Sequence, residues 1–233
     1  MDKDILKFLD EHPNLIFTFE GLIGSGKSTI CKSIVKYLDK SKSIYEPVYP
    51  KLLDMYYKNP KKYAFNFQSI IVRERMWIYN DTMRSSLPYL YNIDRSIIGD
   101  LAFALMHIKK DNFTPEEIDV YLELLDNINT KQNITRKNYI IYLNCSPEKC
   151  RNRLIKRNNN QEIKNCSIEY LHDLELAYKS ILYNENNGLS DALKHYKYEK
   201  LIEIPYEPDD NMVNDTLSEE YTSKVLKMII DQI

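Results

Sequence analysis

A glycine-rich segment near the start of the chain has the residue types and spacing of a phosphate-binding loop. GLIGSGKS fits the pattern G-x-x-x-x-G-K-[ST], and three of the five glycines of the chain fall within six residues. Backbone N–H groups can surround an anion where residues lack a Cβ atom, and a helix N-terminus adds partial positive charge. The pattern predicts a nucleoside triphosphate here. The expected nucleotide-binding residues are Gly21, Leu22, Ile23, Gly24, Ser25, Gly26, Lys27, Ser28 and Thr29.

Two side chains of this loop and one acid further along the chain could organise phosphates and a metal ion. Lys27 can reach the β- and γ-phosphates, and Ser28 can offer its hydroxyl to Mg²⁺. Asp94, in the segment Asp94-Arg95-Ser96, follows an apolar run and could hold the ion opposite Ser28. A surface acid–base pair is the alternative for Asp94 and Arg95. We therefore predict Ser28 and Asp94 as the metal site.

The destination of the terminal phosphate depends on other residues. Glu46 lies at the end of the second predicted strand and could accept a proton from an attacking hydroxyl, although an exposed glutamate before proline is the alternative. Arg153 and Arg157 lie four residues apart, on one face of a predicted helix. Positioned arginines stabilise the charge that phosphoryl transfer spreads over the γ-phosphoryl oxygens. A solvated basic helix end is the alternative for these two arginines.

Apolar periodicity predicts strands and helices that alternate along the chain. The predicted strands are 15–20, 43–48, 89–94, 139–143 and 200–206. The predicted helices are 27–40, 68–83, 100–108, 115–128, one that starts at Ser146-Pro147, 168–184 and 218–230. This alternation is typical of an α/β fold: a doubly wound five-stranded parallel sheet with a P-loop, surrounded by helices. Ligands of such sheets bind at the carboxyl ends of the strands, and each motif above follows such an end.

Composition argues against several classes of protein. Acidic and basic residues nearly cancel, 34 against 32, which argues against a nucleic-acid partner. No apolar run approaches the roughly 18 residues that span a membrane, and the charged N-terminal segment is unlike a signal peptide. The four cysteines form no CxxC pair, so reduced thiols and a cytoplasmic location are expected. At 233 residues, we expect a single domain, 1–233.

Taken together, these motifs resemble those of the deoxynucleoside kinase family, in its deoxycytidine/deoxyguanosine kinase-like branch. The similar segments are GLIGSGKST, EPV, MYYKNPKKYAFNFQ, DRS, and PEKCRNRLIKR followed by EYL. They extend from about Phe17 to the fifth predicted strand. The resemblance implies an enzyme that transfers the γ-phosphate of ATP, or of another nucleoside triphosphate, to the 5′-hydroxyl of a deoxynucleoside with Mg²⁺. It also implies a homodimer and an arginine-bearing lid at about 153–166.

The resemblance implies roles for residues at the acceptor. Glu46 would be the base for the 5′-hydroxyl, and Arg95 its hydrogen-bonded partner. Tyr57 and Glu162 would hold the sugar 3′-hydroxyl. Gln68, eleven residues after Tyr57, would pair with the base, since an amide both donates and accepts hydrogen bonds.

Base preference is expected to depend on Arg75 and Asp100. In the branch that accepts deoxycytidine and deoxypurines, an arginine and an aspartate at these positions face the base, so we expect deoxyadenosine, deoxyguanosine or deoxycytidine. A salt bridge between two helices is the alternative. Phe103 is the expected stacking partner of the base, and Ala104 is the alternative position for that residue. The sequence supports equally well a role for Phe103 in the hydrophobic core.

Besides the base-stacking position, which falls at Phe103 or Ala104, the chain departs from the family pattern at two positions. Lys51 stands where the family often has a tryptophan that lines the pocket, and Asn159 where a third lid arginine is expected. The donor adenine is expected between the lid and the loop 207–211, with Arg157 packed on it. Asp209 and Asp210, in this loop, are expected to be exposed acids, and contact with the donor through backbone or side chain is the alternative.

Two other functions fit the same motifs. A nucleoside monophosphate kinase of the thymidylate type would need an extra arginine at the acceptor, and Arg75 could serve. A catalytically silent structural subunit is the second alternative. The intact GKS segment, Glu46, Asp94 and Arg153 argue against a silent protein, which would have no physical need of them all.

Overall fold

Five parallel strands form the central sheet of the protein. The computed structural model describes residues 1–45, 47, 49–128, 135–183, 189, 193 and 196–233. The strands are β1 (Leu15–Glu20), β2 (Ser41–Ile44), β3 (Leu90–Asp94), β4 (Lys137–Asn144) and β5 (Lys200–Pro205). They lie in the order β2-β3-β1-β4-β5, and each neighbouring pair is parallel. The predicted five-stranded parallel sheet is confirmed.

Helices precede, connect and follow these strands. They are α1 (Lys3–Glu11), α2 (Lys27–Tyr37), α3 (Pro50–Lys58), α4 (Pro60–Arg84), α5 (Ile97–Lys109), α6 (Pro115–Ile128), α7 (Pro147–Arg157), α8 (Asn160–Asn165), α9 (Ile168–Leu182) and α10 (Glu219–Ile230). A short hairpin of β6 (Met212–Val213) and β7 (Thr216–Leu217) precedes α10. In the part of the chain that the structure describes, every helix is too short or too polar to cross a lipid bilayer.

The alternation of side chains along β1 explains why helices cover both faces of the sheet. Leu15, Phe17 and Phe19 pack in a core with residues of α1, α2 and α10. Ile16 points to the opposite face and packs with residues of α4, α5 and α9. Successive strand residues face opposite sides, so Glu20 lies on the same face as Ile16. The sheet is therefore doubly wound, as predicted.

The largest difference from prediction is in the segment between β2 and β3. Helix α4 begins at Pro60, whereas the predicted helix began at residue 68, and α3 was not predicted. The Asn59 side chain accepts a hydrogen bond from the N–H of Lys62, and proline suits the first helical position. Strand β2 is shifted to Ser41–Ile44 from the predicted 43–48. Consequently Gln68 lies in the third turn of a long helix rather than at its start.

A capping box between Thr114 and Glu117 starts α6, and it offers a test of local stability. The Thr114 hydroxyl accepts from the Glu117 N–H at 3.2 Å, and the Glu117 carboxylate accepts from the Thr114 N–H at 2.8 Å. Thr114→Ala should lower the free energy of unfolding by about 1 kcal/mol in urea denaturation, because the helix loses its cap. Glu123→Ala, at an exposed position of the same helix, should change it little. Equal losses in both variants would contradict the role of the cap.

Candidate active site

The glycine-rich loop connects the end of β1 to the start of α2. Gly24 and Gly26 have φ angles of +83° and +102°, which disfavour any residue with a Cβ atom. A Cβ atom at Gly24 would also lie 2.7 Å from the carbonyl oxygen of Cys150. The Lys27 ammonium donates to the carbonyl oxygen of Leu22 at 2.7 Å, within the same loop. Both backbone angle and close packing therefore require glycine where the sequence has it.

A cavity of about 300 Å³ opens at the carboxyl ends of β1 and β3. It brings together residues that were predicted for the nucleotide and for the acceptor. The predicted residues that line it are Ile23, Gly24, Gly26, Lys27, Ser28, Thr29, Tyr57, Gln68, Asp94, Arg95, Asp100, Phe103, Arg157 and Glu162. Four others, Gly21, Leu22, Ser25 and Arg75, are buried outside its lining. Glu46 lies outside the described residues.

Ser28 and Asp94 are hydrogen-bonded to each other, because parallel pairing sets Asp94 beside Phe19 at the end of β1. The Ser28 hydroxyl donates to Oδ2 of Asp94. The other carboxylate oxygen, Oδ1, is buried and has no hydrogen-bond partner among the described residues. Leaving such an atom unsatisfied costs free energy, and Mg²⁺ prefers oxygen ligands. The two residues therefore fit a magnesium ion.

Arg75 and Asp100 form a buried ion pair between α4 and α5. The Arg75 Nε atom lies 2.6 Å from Asp100 Oδ2, and the side chains are 4% and 2% exposed. Arg75 also donates to the carbonyl oxygen of Asp94 at 3.3 Å. Gln68 lies two turns before Arg75 on the same buried face of α4, and it lines the cavity together with Asp100. Asp100 is therefore the member of the ion pair that lines the cavity.

Arg95 and Phe103 lie together at the cavity wall. Arg95 has a φ angle of +73°, which is uncommon for a residue other than glycine. Its guanidinium carbon lies 5.1 Å from the centre of the Phe103 ring. Phe103 lines the cavity, whereas Ala104 is fully buried in the core. Of the two positions considered for the base-stacking residue, only that of Phe103 reaches the cavity.

Tyr57 and Glu162 approach the cavity from α3 and α8. Burial raises the pKa of Tyr57 well above its usual range, so its hydroxyl stays protonated. The carboxylate of Glu162 accepts two hydrogen bonds from Arg157, at 3.1 and 3.2 Å. Asn159, at the position expected for a third arginine, caps α8 by accepting from two of its backbone N–H groups. Asn159 therefore holds the short helix that carries Glu162.

Arg153 lines a second cavity, of about 180 Å³, between α7 and the loop after β5. Its Nε and Nη2 atoms donate to the two carboxylate oxygens of Asp209, at 2.9 and 2.6 Å. Its Nη1 atom donates to the carbonyl oxygen of Ser25 at 3.1 Å. The hydrogen bond from Arg153 lowers the pKa of Asp209. Asp209 is exposed, as predicted, and it is also the ion-pair partner of Arg153. Arg157 lines both cavities.

Two tyrosines that were not predicted for the site line the cavity beside Tyr57. They are Tyr56 and Tyr170, and the Tyr56 ring stacks on Phe67 with 4.8 Å between ring centres. The Tyr56 hydroxyl is hydrogen-bonded to Nε2 of His107 at 2.8 Å. Burial lowers the pKa of His107 to about 4, so this histidine is neutral at physiological pH and acts as a support for the wall. Because α3 was not predicted, no sequence pattern indicated that Tyr56 lies here.

Glu20 and Tyr178 also belong to the surroundings of the site and were not predicted. Glu20 ends β1 and is fully buried. Its Oε1 atom accepts from the N–H and the hydroxyl of Ser96, both at 2.6 Å. Tyr178, on α9, donates its hydroxyl to Oε2 at 2.9 Å. A glutamate in the mainly apolar strand LIFTFE was the available signal, because a buried carboxylate needs several donors.

Comparison with known proteins identifies the family. A family model described as deoxynucleoside kinase matches residues 17–229. The chain belongs to the deoxynucleoside kinase family. This membership confirms the resemblance inferred from the motifs, and with it the predicted ATP-dependent phosphotransferase.

Individual relatives agree with this family. A deoxyguanosine kinase of Lactobacillus johnsonii is 31% identical over 94% of this chain and 92% of the relative. A deoxyadenosine kinase of Dictyostelium discoideum is 32% identical over 70% of this chain and 64% of the relative. The solved structure of deoxyadenosine kinase from M. mycoides, with dCMP and dCDP bound, has a TM-score of 0.68 at 21% identity. It covers 94% of this chain and 100% of that chain, which shows that the two share a fold.

The buried Arg75–Asp100 pair predicts a specific pattern of stability. Arg75→Met should lower the free energy of unfolding by about 3–5 kcal/mol, because Asp100 then lacks its cation in the protein interior. Arg75→Met/Asp100→Leu should recover much of that loss, since both charges are gone. Urea denaturation of the two variants and the wild type measures both effects. A single variant as stable as the wild type would show that the pair contributes nothing to folding.

Proposed function

We propose that the protein phosphorylates the 5′-hydroxyl of deoxyadenosine, deoxyguanosine or deoxycytidine, with ATP or another nucleoside triphosphate as donor. The main support is the single cavity that holds both the glycine-rich loop and the polar side chains of Gln68 and Asp100. An amide next to a carboxylate offers donors and acceptors for the edge of a base. The relatives are named for deoxyguanosine and deoxyadenosine as their substrates, which supports the same class.

In the proposed reaction the 5′-oxygen of the deoxynucleoside attacks the γ-phosphorus, and ADP leaves. Lys27 and the glycine-rich loop hold the phosphates, so that catalysis consists mainly of positioning and electrostatic stabilisation. Arg157 lines both cavities and can contact the donor from either. Arg153 contributes its charge by exchanging the Asp209 carboxylate for a phosphate oxygen. The second cavity takes the donor base.

We assign Mg²⁺ to Ser28 and Asp94. The support is the buried Oδ1 atom of Asp94, which has no partner among the described residues, and the hydrogen bond between the two side chains. When bound, the ion neutralises charge on the phosphates. Ser28 supplies a hydroxyl oxygen and Asp94 a carboxylate oxygen, both of the hard type that Mg²⁺ binds.

The deoxynucleoside is assigned to the other half of the cavity. To Glu46 we assign the removal of the proton from the 5′-hydroxyl, and to Arg95 the role of partner to this base. Tyr57 and Glu162 hold the 3′-hydroxyl, which the protonated state of Tyr57 supports. The base stacks on Phe103. This assignment is supported by the position of Phe103 at the cavity wall.

A homodimer is the proposed assembly. Helix α4 exposes Ile70 and Trp77, which are seven residues apart and therefore on one face, with 38% and 68% of their surface exposed. Exposed apolar groups that lie together mark interaction sites. A cytoplasmic location is proposed as well, and the four cysteines, which are all buried free thiols, support it.

A substrate panel and one variant test the proposed reaction. With labelled ATP and Mg²⁺, the wild type should phosphorylate the three deoxynucleosides in preference to their 5′-monophosphates. Glu46→Gln should lower kcat by about 100-fold to 10,000-fold, because the general base is lost, and leave the Kd for the deoxynucleoside nearly unchanged. Glu123→Gln, an exposed position on α6, should keep wild-type turnover.

Each contrary result has a distinct meaning. Preference for the monophosphates would identify a nucleoside monophosphate kinase instead. Nucleotide binding without turnover over the whole panel would indicate a silent subunit. Wild-type turnover in Glu46→Gln would remove only Glu46 from its role as base.

A further inference from the structure

Arg95 lies where the acceptor half of the cavity meets the glycine-rich loop. Its left-handed φ angle of +73° persists in a non-glycine residue only where the surroundings impose it. The Arg95 N–H donates to the carbonyl oxygen of Phe19 at 3.0 Å. The Nη1 atom of its guanidinium donates to the carbonyl oxygen of Gly21 at 3.3 Å. The backbone and the side chain of Arg95 are therefore both tied to the segment that runs from β1 into the loop.

A tyrosine from α9 holds the same guanidinium. Arg95 Nη1 donates to the Tyr178 hydroxyl at 2.7 Å, and this hydroxyl donates in turn to Glu20 Oε2 at 2.9 Å. Tyr178 is fully buried, and burial raises its pKa well above the usual range. The hydroxyl therefore keeps the proton with which it donates to Glu20. Tyr178 is absent from the described lining of the cavity, so it can affect a substrate only through another residue.

Glu20 anchors this tyrosine and the start of α5 together. Its Oε1 atom accepts from the N–H and the hydroxyl of Ser96, both at 2.6 Å, and from the Gly99 N–H at 3.3 Å. Ser96 directly follows Arg95 and caps α5. One carboxylate thus fixes the position of the Tyr178 hydroxyl and the backbone next to Arg95.

The packing at Gly99 shows independently that this arrangement is tight. A Cβ atom at Gly99 would lie 2.8 Å from the Tyr178 hydroxyl oxygen and 2.9 Å from Glu20 Oε2. Glycine inside a helix is unfavourable relative to alanine, and the chain has only five glycines. The close approach of the hydroxyl and the carboxylate to α5 explains why glycine occupies this helical position.

We propose that Tyr178 is a positioning residue for phosphoryl transfer: its hydroxyl, anchored by Glu20, fixes the Arg95 guanidinium at the cavity wall. The inference rests on the role proposed for Arg95 in the reaction. A small displacement of a catalytic group weakens its interaction with the transition state. Substrate binding depends on many other contacts, so the loss of the hydroxyl acts on kcat rather than on KM.

Tyr178→Phe tests this role in the full-length enzyme. The variant should lose kcat by about 10-fold to 100-fold while the KM for the deoxynucleoside stays within about twofold. Tyr121→Phe is the matched control, because the Tyr121 hydroxyl is also fully buried and has no hydrogen-bond partner among the described residues. The control should keep wild-type kcat. Gly99→Ala, which displaces the Tyr178 hydroxyl without removing it, should lower kcat as well.

Coupling to Arg95 separates positioning from a general structural effect. If Tyr178 acts through Arg95, Tyr178→Phe lowers kcat in the wild type but causes no further loss in Arg95→Ala. Two results would overturn the positioning role alone. In the first, Tyr178→Phe lowers kcat by the same factor in the wild type and in Arg95→Ala. In the second, Tyr178→Phe keeps wild-type kcat while Arg95→Ala is impaired. Wild-type kcat in Arg95→Ala would overturn the proposed role of Arg95 and the positioning role with it.

Discussion

The parallel pairing of β1 with β3 is the constraint on which the site depends. Its register sets Phe19 beside Asp94, so both strands end at the same level of the sheet. The glycine-rich loop leaves β1 at that level, and the acid that bonds Ser28 ends β3. Arg95 follows immediately and returns a hydrogen bond to Phe19. A shift of one residue in this register would turn Asp94 to the other face of the sheet and separate it from Ser28.

Residues with local signals were predictable from the sequence. The glycine-rich loop, the capping box at Thr114 and the apolar strands follow from backbone geometry and periodicity, which act over a few residues. The Arg75–Asp100 pair was predicted from the resemblance to a family. The two residues are 25 positions apart, and no local sequence pattern relates them. The start of α4 was missed because a polar first turn hides the helical period.

The unpredicted contacts are those between residues far apart in the chain. Tyr178 and Glu20 are 158 positions apart, and Arg153 and Asp209 are 56 apart. In each of these two pairs, a charged side chain contacts a partner that is close to it only because of the fold. A carboxylate such as that of Glu20 is stable in the interior only when several hydrogen-bond donors surround it. Its presence in a mainly apolar strand therefore indicated that donors lie nearby, but the sequence did not show which residues provide them.

Arg157 borders both cavities, and its guanidinium donates to the carboxylate of Glu162. In the proposed reaction, donor phosphates that bind this guanidinium take its hydrogen bonds away from Glu162, and the carboxylate then has a greater need of a hydroxyl donor. The binding free energies of the triphosphate and of the deoxynucleoside are then coupled. By thermodynamic reciprocity, whatever factor the triphosphate contributes to the affinity for the sugar, the sugar contributes equally to the affinity for the triphosphate.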